Sequence, residues 1–387
     1  MMRLAVLTSH PIQYQAPLFR ALAQAVDLTV YFAHEATASD QAAAGFEVAF
    51  TWDIDLLAGY RHVFLRNKAS RPDPSGFFGC DTPEIATRLA QGRYDALLVS
   101  GWHLKSYWQG VLAARRLGIS VLVRGDSQLE MPGGGLKRLA KSMIYPTMLR
   151  YFDVALYVGQ RSRSYYEHYQ FPKSRLFFAP HCVDNEWFAE RATPAGRVAL
   201  RNAHRIAPEV KVALFAGKLI NRKRPLDLVR AVGKLVGEGR NLCVMVAGAG
   251  NLMHDVEREA RALNVPLVLL GFCNQSQMPA AYAASDVLVL PSSERETWGL
   301  VANEALASGL PIIVSNACGC APDLAQDQTA GRVFATGDID GLADALRDLS
   351  DRPPPHTDIS RKVQNYSITA AVDGICAALE ATAVAAK

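Results

Sequence analysis

This chain of 387 residues is short of several features, and each shortage removes a class of function. No apolar run approaches the roughly 20 residues needed to span a bilayer. The start, Met1-Met2-Arg3-Leu4-Ala5-Val6-Leu7-Thr8-Ser9-His10-Pro11, has too short an apolar run for a signal peptide, and no small-residue cleavage site follows. The 7 cysteines (Cys80, Cys182, Cys243, Cys273, Cys318, Cys320, Cys376) are odd in number and scattered. No C-x-x-C pair has a partner, so neither zinc nor a disulfide framework is indicated, and a reduced, cytoplasmic setting is expected. Cys318 and Cys320, the one close pair, read as loop thiols. Charge of one sign is also lacking: 41 basic against 37 acidic residues leave +4. That balance argues against nucleic acid, and it suits an anionic ligand or a weak contact with a membrane surface. The dinucleotide fingerprint is incomplete. An apolar strand at 242–247 runs into Gly248-Ala249-Gly250-Asn251-Leu252-Met253, where the third glycine is missing at Met253. The next strand, 268–270, ends in Gly271-Phe272 without the ribose-binding acid. A nicotinamide cofactor is therefore not expected.

What is present is ordinary in bulk and specific in one place. Half the residues are hydrophobic and 20% charged, as in an α/β protein with full cores, and the length suggests two to three domains. The specific stretch is Glu296-Thr297-Trp298-Gly299-Leu300-Val301-Ala302-Asn303-Glu304-Ala305-Leu306-Ala307-Ser308-Gly309-Leu310-Pro311. It follows Ser285-Asp286-Val287-Leu288-Val289-Leu290-Pro291, which reads as a buried strand ending at proline. From Leu300 the period is helical; Gly309 stands at the C-cap and Pro311 forbids continuation. Ile312-Ile313-Val314 is the next strand. Glu296 falls in the loop and Glu304 about one turn into the helix. Gly299 is expected to let a ligand approach the backbone, with the amides of Gly299, Leu300 and Val301 aimed at an anion. A carboxylate accepts two hydroxyl hydrogen bonds, the natural grip on a sugar or ribose diol. An anion and polyols held together describe a nucleotide sugar.

Two glutamates separated by seven residues within E-T-W-G-L-V-A-N-E-A-L-A-S-G-L-P resemble the donor-site signature of retaining GT-B glycosyltransferases of family 4. The resemblance implies two Rossmann-like, doubly wound α/β domains facing across a cleft. It also implies that Glu296 binds donor-sugar hydroxyls and Glu304 the ribose. Gly217-Lys218-Leu219-Ile220-Asn221-Arg222-Lys223-Arg224-Pro225 is similar to the family's "G-R-L … K-G" element, with Lys218 in the arginine's place. Two cations just past a strand, Lys218 and Lys223, neutralise a leaving diphosphate as a metal would. By the same resemblance Gly250 belongs to a turn lining the nucleotide pocket, and Phe272 and Cys273 lie near the base. Asp53-Ile54-Asp55 and Asp338-Ile339-Asp340 are similar to the D-x-D metal motif of the other glycosyltransferase fold. Neither ends an apolar strand, and both are read as coincidences, so no metal or other cofactor is expected.

The N-terminal half matches less closely. The loop after the strand at 4–8 carries no glycine, unlike many GT-B enzymes. Its His10, Gln13 and Tyr14 are read either as contacts to sugar or acceptor or as a loop leading into a helix. Residues 36–79 have the irregular pattern of an insertion near an acceptor. The family's sugar-contacting histidine is missing after the strand at 120–123, where Arg124-Gly125-Asp126-Ser127 stands instead. Arg124 or Asp126 substitutes for it, or His103 reaches across from the neighbouring strand, or Arg124 and Asp126 form a buried ion pair. Residues 133–151 read as a basic amphipathic helix, for a membrane surface or a solvated face. Pro180-His181-Cys182-Val183-Asp184 is similar to the family's interdomain segment, and 190–194 reads as linker.

The reading is an acceptor domain at 1–190, a nucleotide-sugar domain at 191–365, and a helix at 366–387 returning to the first domain. The expected activity is metal-independent, retaining transfer from a nucleotide sugar, expected to be UDP-linked, to a glycan, lipid-linked or small-molecule acceptor. The expected location is the cytoplasm, or the inner face of the membrane. A sugar-nucleotide epimerase and a non-catalytic nucleotide-binding module are the alternatives.

Overall fold

The computed structural model describes residues 1–37, 50–129, 135–293 and 296–385. Residues 38–49 of the expected insertion, and the side chains of Leu136, Lys137 and Arg138 in the basic helix, lie outside that description. Two compact units are present: residues 1–36, 55–181 and 368–387, and residues 37–54 and 182–367.

The first unit is built on seven parallel strands: β1 (Arg3–Thr8), β2 (Asp27–Phe32), β3 (Arg61–Phe64), β4 (Ala96–Val99), β5 (Ser120–Gly125), β6 (Val154–Tyr157) and β7 (Leu176–Phe178). Their order is β3-β2-β1-β4-β5-β6-β7. The second has β8 (Lys211–Ala216), β9 (Leu242–Ala247), β10 (Leu267–Gly271), β11 (Val287–Leu290), β12 (Ile312–Ser315) and β13 (Gly331–Phe334), in the order β10-β9-β8-β11-β12-β13. Both are doubly wound. Strands covered by helices on both faces must be apolar throughout, and β4, β9, β11 and β12 are buried at every position. In each sheet the order reverses beside the first strand, between β1 and β4 and between β8 and β11. Ligands of such sheets bind outside the carboxyl ends of the strands at that switch point. The loops leaving β1, β4, β8 and β11 hold most of the sequence-predicted site residues.

The helices follow local signals. Pro225 opens helix Pro225–Gly237, whose Leu228, Val229, Val232 and Leu235 are buried on the second sheet. The stretch read as linker, residues 190–194, instead joins two capped helices within the second unit. Asp184 caps Asn185–Arg191, accepting from the Trp187 amide, and Thr193 caps Pro194–Ala203, accepting from the Gly196 amide. The units therefore divide after His181 rather than after residue 190. Arg197 and Arg201 of the second of these helices reach the Asp286 carboxylate before β11, which explains why this segment belongs with the second sheet. Helix Ile368–Ala385 packs in the first unit against β6, β7 and helix Gln15–Ala25. The basic helix is observed as Gly135–Met148.

Candidate functional site

In the second unit the loop leaving β8 is fastened to the loop leaving β9 by backbone alone. The Gly217 amide donates to the Ala247 carbonyl at 2.9 Å, and the Leu219 amide to the Ala249 carbonyl at 2.8 Å. A Cβ on Gly250 would stand 2.6 Å from the Leu219 carbonyl oxygen, and one on Gly248 1.9 Å from that of Gly217. The G-x-G turn is thus glycine because another backbone lies on it, and it holds Lys218 and the turn Asn221–Lys223 in place. The Ser293 amide donates to the Arg222 carbonyl at 2.8 Å, joining the loop after β8 to the loop after β11.

That junction gathers charge. Lys223 and Glu296 form an ion pair, each side chain 13% exposed. The sequence reading assigned Glu296 to a sugar and Lys223 to a diphosphate, and the structure adds that each is the other's partner. Lys218 is pushed down to about 8 by burial and by the neighbouring cations Arg222 and Lys223, against which Glu296 acts. Arg222 is a third cation here that the sequence reading passed over, although it stands beside Lys223 in the chain.

Gly299 has φ 100° and its Cβ would lie 2.4 Å from Leu290 Cδ2. The fold itself therefore requires glycine here, against the end of β11. The loop is held further by the Gly319 amide on the Glu296 carbonyl at 2.9 Å and the Cys320 amide on the Trp298 carbonyl at 3.1 Å. Leu300 precedes the helix, which runs Val301–Ala307, and Glu304 is in its first turn. Glu304 is buried and accepts from the Tyr282 hydroxyl at 2.6 Å. Burial pushes its carboxyl up to about 7, and the Tyr282 bond opposes that rise. Tyr282 had no signal in the sequence beyond its place on an apolar helix.

Phe272 and Cys273 follow β10. The Phe272 ring packs on Phe50 with centroids 4.3 Å apart. Asn274 donates to the Thr51 carbonyl at 2.8 Å, and Ser276 donates to the Asp53 carboxylate. A segment from the N-terminal half therefore lies over the place assigned to a base, and sequence reasoning missed it. Cys273 is pushed up by burial. The two D-x-D pairs serve local bonds. Asp53 takes Ser276, Asp55 accepts from the Leu57 and Ala58 amides, Asp338 caps helix Ile339–Asp351, and Asp340 pairs with Lys234. Among the described residues no group of three or more His, Cys, Asp or Glu is arranged to hold a metal ion.

In the first unit the loops at the β1/β4 switch point line a cavity of about 240 Å³. Tyr14, His103, Arg124 and Asp126 line it, whereas His10 and Gln13 do not. His10 turns to the Ser9 hydroxyl at 3.0 Å. Of the alternatives weighed for Arg124, the ion pair with Asp126 is not what its side chain makes: it donates to the Ala179 carbonyl at 3.2 Å and the Pro180 carbonyl at 2.5 Å, clamping the chain beyond β7. Asp126 instead faces His181 at 3.8 Å. His181 is buried, its imidazole pushed below its ordinary range by desolvation while Asp126 acts the other way. The Tyr14 ring meets it edge-on at 5.9 Å. His103 stands at the margin, lowered by the packing around it and supported by a hydrogen bond to the Pro74 carbonyl and by the Asp126 charge. His181 was quoted in the sequence only as part of an interdomain segment.

Residues 197–366 match the family of glycosyl transferases group 1. The group 1 segment contains Lys218, Lys223, Glu296 and Glu304. Over 205 residues the chain is 28% identical to a GDP-mannose-dependent alpha-(1-6)-phosphatidylinositol monomannoside mannosyltransferase of Mycobacterium tuberculosis, covering 51% of this chain and 52% of that protein. Over 191 residues it is 32% identical to a D-inositol 3-phosphate glycosyltransferase of Saccharomonospora viridis, covering 46% and 43%. The chain thus spans about half the length, or less, of the curated relatives it matches. Among solved structures, Anabaena Alr3699/HepE in complex with UDP aligns over 98% of this chain and 100% of that one, with a TM-score of 0.74 and 15% identity. A glycosyltransferase from Rickettsia africae aligns over 98% of both chains, also at 0.74, with 14% identity. At such identities the likeness establishes the fold, the two-Rossmann-domain GT-B architecture.

Proposed function

We propose that the protein is a retaining glycosyltransferase that moves a sugar from a nucleotide sugar to an acceptor hydroxyl without a metal ion. The observation that carries this reading is the junction of the loops after β8 and β11, where Lys218, Arg222 and Lys223 stand beside Glu296. A departing diphosphate develops negative charge, and fixed cations in a partly buried site stabilise it more than they would in water. Glu304, one turn into the following helix, keeps one carboxylate oxygen on Tyr282 and offers the other to the ribose diol. Glu296 takes donor-sugar hydroxyls once a diphosphate draws Lys223 away from it. UDP is the favoured carrier, since UDP occupies the Anabaena structure of the same fold. The first unit's cavity is assigned to the acceptor. Its volume lies below the about 300–1,000 Å³ of drug-sized sites, which suits one hydroxylated group. Asp126 and His181 are the polar groups that would receive its hydroxyl.

No carboxylate is needed at nucleophile distance when the leaving phosphate assists deprotonation of the acceptor, in contrast to the paired acids of retaining glycoside hydrolases. Activity is therefore expected to survive EDTA. Complete loss on chelation, restored by Mg²⁺ or Mn²⁺, would contradict the assignment of the diphosphate to lysines. An epimerase would convert the donor with no acceptor present, and product analysis separates the two.

A further inference from the structure

The loop that carries Glu296 is pinned from two sides by buried groups that meet no ligand. On one side Trp298 donates its indole N–H to Asn303 Oδ1 at 2.7 Å. Asn303 is fully buried on helix Val301–Ala307, so this bond fastens the loop to the helix. On the other side the Trp298 ring packs on Tyr366, with centroids 5.9 Å apart. Tyr366 is itself buried and lies just beyond helix His356–Gln364. Its hydroxyl donates to Asp323 Oδ1 at 2.9 Å, and Asp323 too is buried. Burial and the Asp323 charge push that hydroxyl up, so it stays protonated and a donor.

Asp323 belongs to a π-helical turn, Ala321–Ala325, a form often found at functional sites. The Asp323 and Leu324 amides donate to the Cys320 carbonyl at 3.1 and 2.8 Å. The Cys320 amide in turn holds the Trp298 carbonyl, and the Gly319 amide that of Glu296. There is no slack between the two segments: a Cβ on Gly319 would stand 1.7 Å from the Thr297 carbonyl oxygen. Tyr366 therefore reaches the loop twice, by its ring through Trp298 and by its hydroxyl through Asp323. A buried carboxylate deprived of that hydroxyl is left short of a donor, and the turn beneath Glu296 must shift to supply one. Glu304 has a separate support in Tyr282.

We propose that Tyr366 is a positioning residue for sugar transfer, setting where Glu296 stands without touching the donor. The proposal rests on the reading of Glu296 as the group that meets the donor sugar. A misplacement of about 1 Å can cost about 100-fold in rate, so the loss of this support is expected in turnover. The nucleotide, gripped by Glu304 and by the cations after β8, should bind as before.

The test compares the full chain as wild type, Y366F, D323N and Y366F/D323N. Calorimetric titration with UDP and with GDP gives nucleotide affinity. A panel of UDP- and GDP-sugars gives turnover, measured well below the melting temperature of each variant. Y366F is expected to lower kcat about 10-fold or more, with nucleotide affinity within about twofold of wild type. D323N keeps an acceptor for the hydroxyl but loses the charge, so it should lower kcat less and in the same pattern. It carries the test should Y366F not fold. The double variant should be no slower than Y366F, because both changes act on one bond. Wild-type turnover in Y366F, or in D323N where Y366F does not fold, overturns the proposal. So does nucleotide affinity that falls in step with turnover, or losses that multiply in the double variant. A wild-type chain that binds UDP or GDP and turns over none of the sugars contradicts the reading of the site before any variant is made, and the proposal falls with it.

Discussion

The Glu304 carboxyl is buried where its charge is costly, and this makes its role measurable in two ways. Its folded value of about 7 lies above the ordinary 4.5, so the ionised form destabilises the fold. That penalty is complete above about 7 and vanishes below about 4.5. Glu304→Gln keeps the shape and an acceptor for Tyr282, and should stabilise the protein at pH 8 by about 1–3 kcal/mol, with no gain at pH 4. Thermal melts at the two pH values check this. The same residue should matter in the opposite sense for ligand. Glu304→Ala removes charge-assisted hydrogen bonds of about 1.5–3 kcal/mol, weakening nucleoside diphosphate by about 10- to 100-fold. Glu296→Gln should leave that affinity nearly unchanged while turnover falls sharply, because Glu296 meets only the sugar. Equal losses in calorimetric titrations of the two variants would show the roles to be wrongly divided. Lys218, lowered to about 8, is half neutral near that pH. A diphosphate favours the protonated form, so affinity should fall as pH rises through 8 and binding near pH 8 should take up a proton. Titrations in two buffers of different ionisation enthalpy detect the uptake, and Lys218→Met should abolish it. In the first unit Asp126→Asn should lower turnover more than nucleoside diphosphate affinity; a loss of that affinity in a folded variant would count against the assignment.

At the scale of elements, a good deal was legible in advance because it depends on neighbours in sequence. The run Val287–Leu290, the shift to helical period at Leu300 and the Gly309-x-Pro311 stop place one β-loop-α-β unit by local rules, and the structure has it there. Contacts between segments far apart in the chain were not legible. Nothing local announces that Phe50 lies on Phe272, that Arg124 clamps the carbonyls of Ala179 and Pro180, or that Tyr282 holds Glu304. What a glycine's missing Cβ makes room for was not legible for a related reason. Sequence shows that a Cβ is absent, but not whether a ligand or another backbone fills its place, and at Gly250 and Gly299 it is the protein itself. Gly250→Ala should therefore destabilise the chain by about 2–3 kcal/mol and loosen the loop that carries Lys218. A melt unchanged from wild type would refute that account of the turn.

At the scale of the molecule, alternating strand and helix patterns point to doubly wound parallel sheets, and the observed orders are β3-β2-β1-β4-β5-β6-β7 and β10-β9-β8-β11-β12-β13. The boundary was displaced because 190–194 is polar, as a linker is, while its place is decided by Arg197 and Arg201 reaching Asp286. The E-x7-E signature lies wholly within the segment matched by glycosyl transferases group 1. The acceptor side rests on weaker signals, since the polar groups of the first unit's cavity come from four separate loops, those after β1, β4, β5 and β7. One measurement tests the central claim most directly. The full chain is incubated in EDTA with a panel of UDP- and GDP-sugars and candidate acceptors, and the product's anomeric configuration is read by NMR. The account predicts that a donor is consumed only in step with a glycosylated product, and that this product keeps the donor's anomeric configuration. An inverted product, donor conversion without acceptor, or turnover that requires a divalent metal would contradict it.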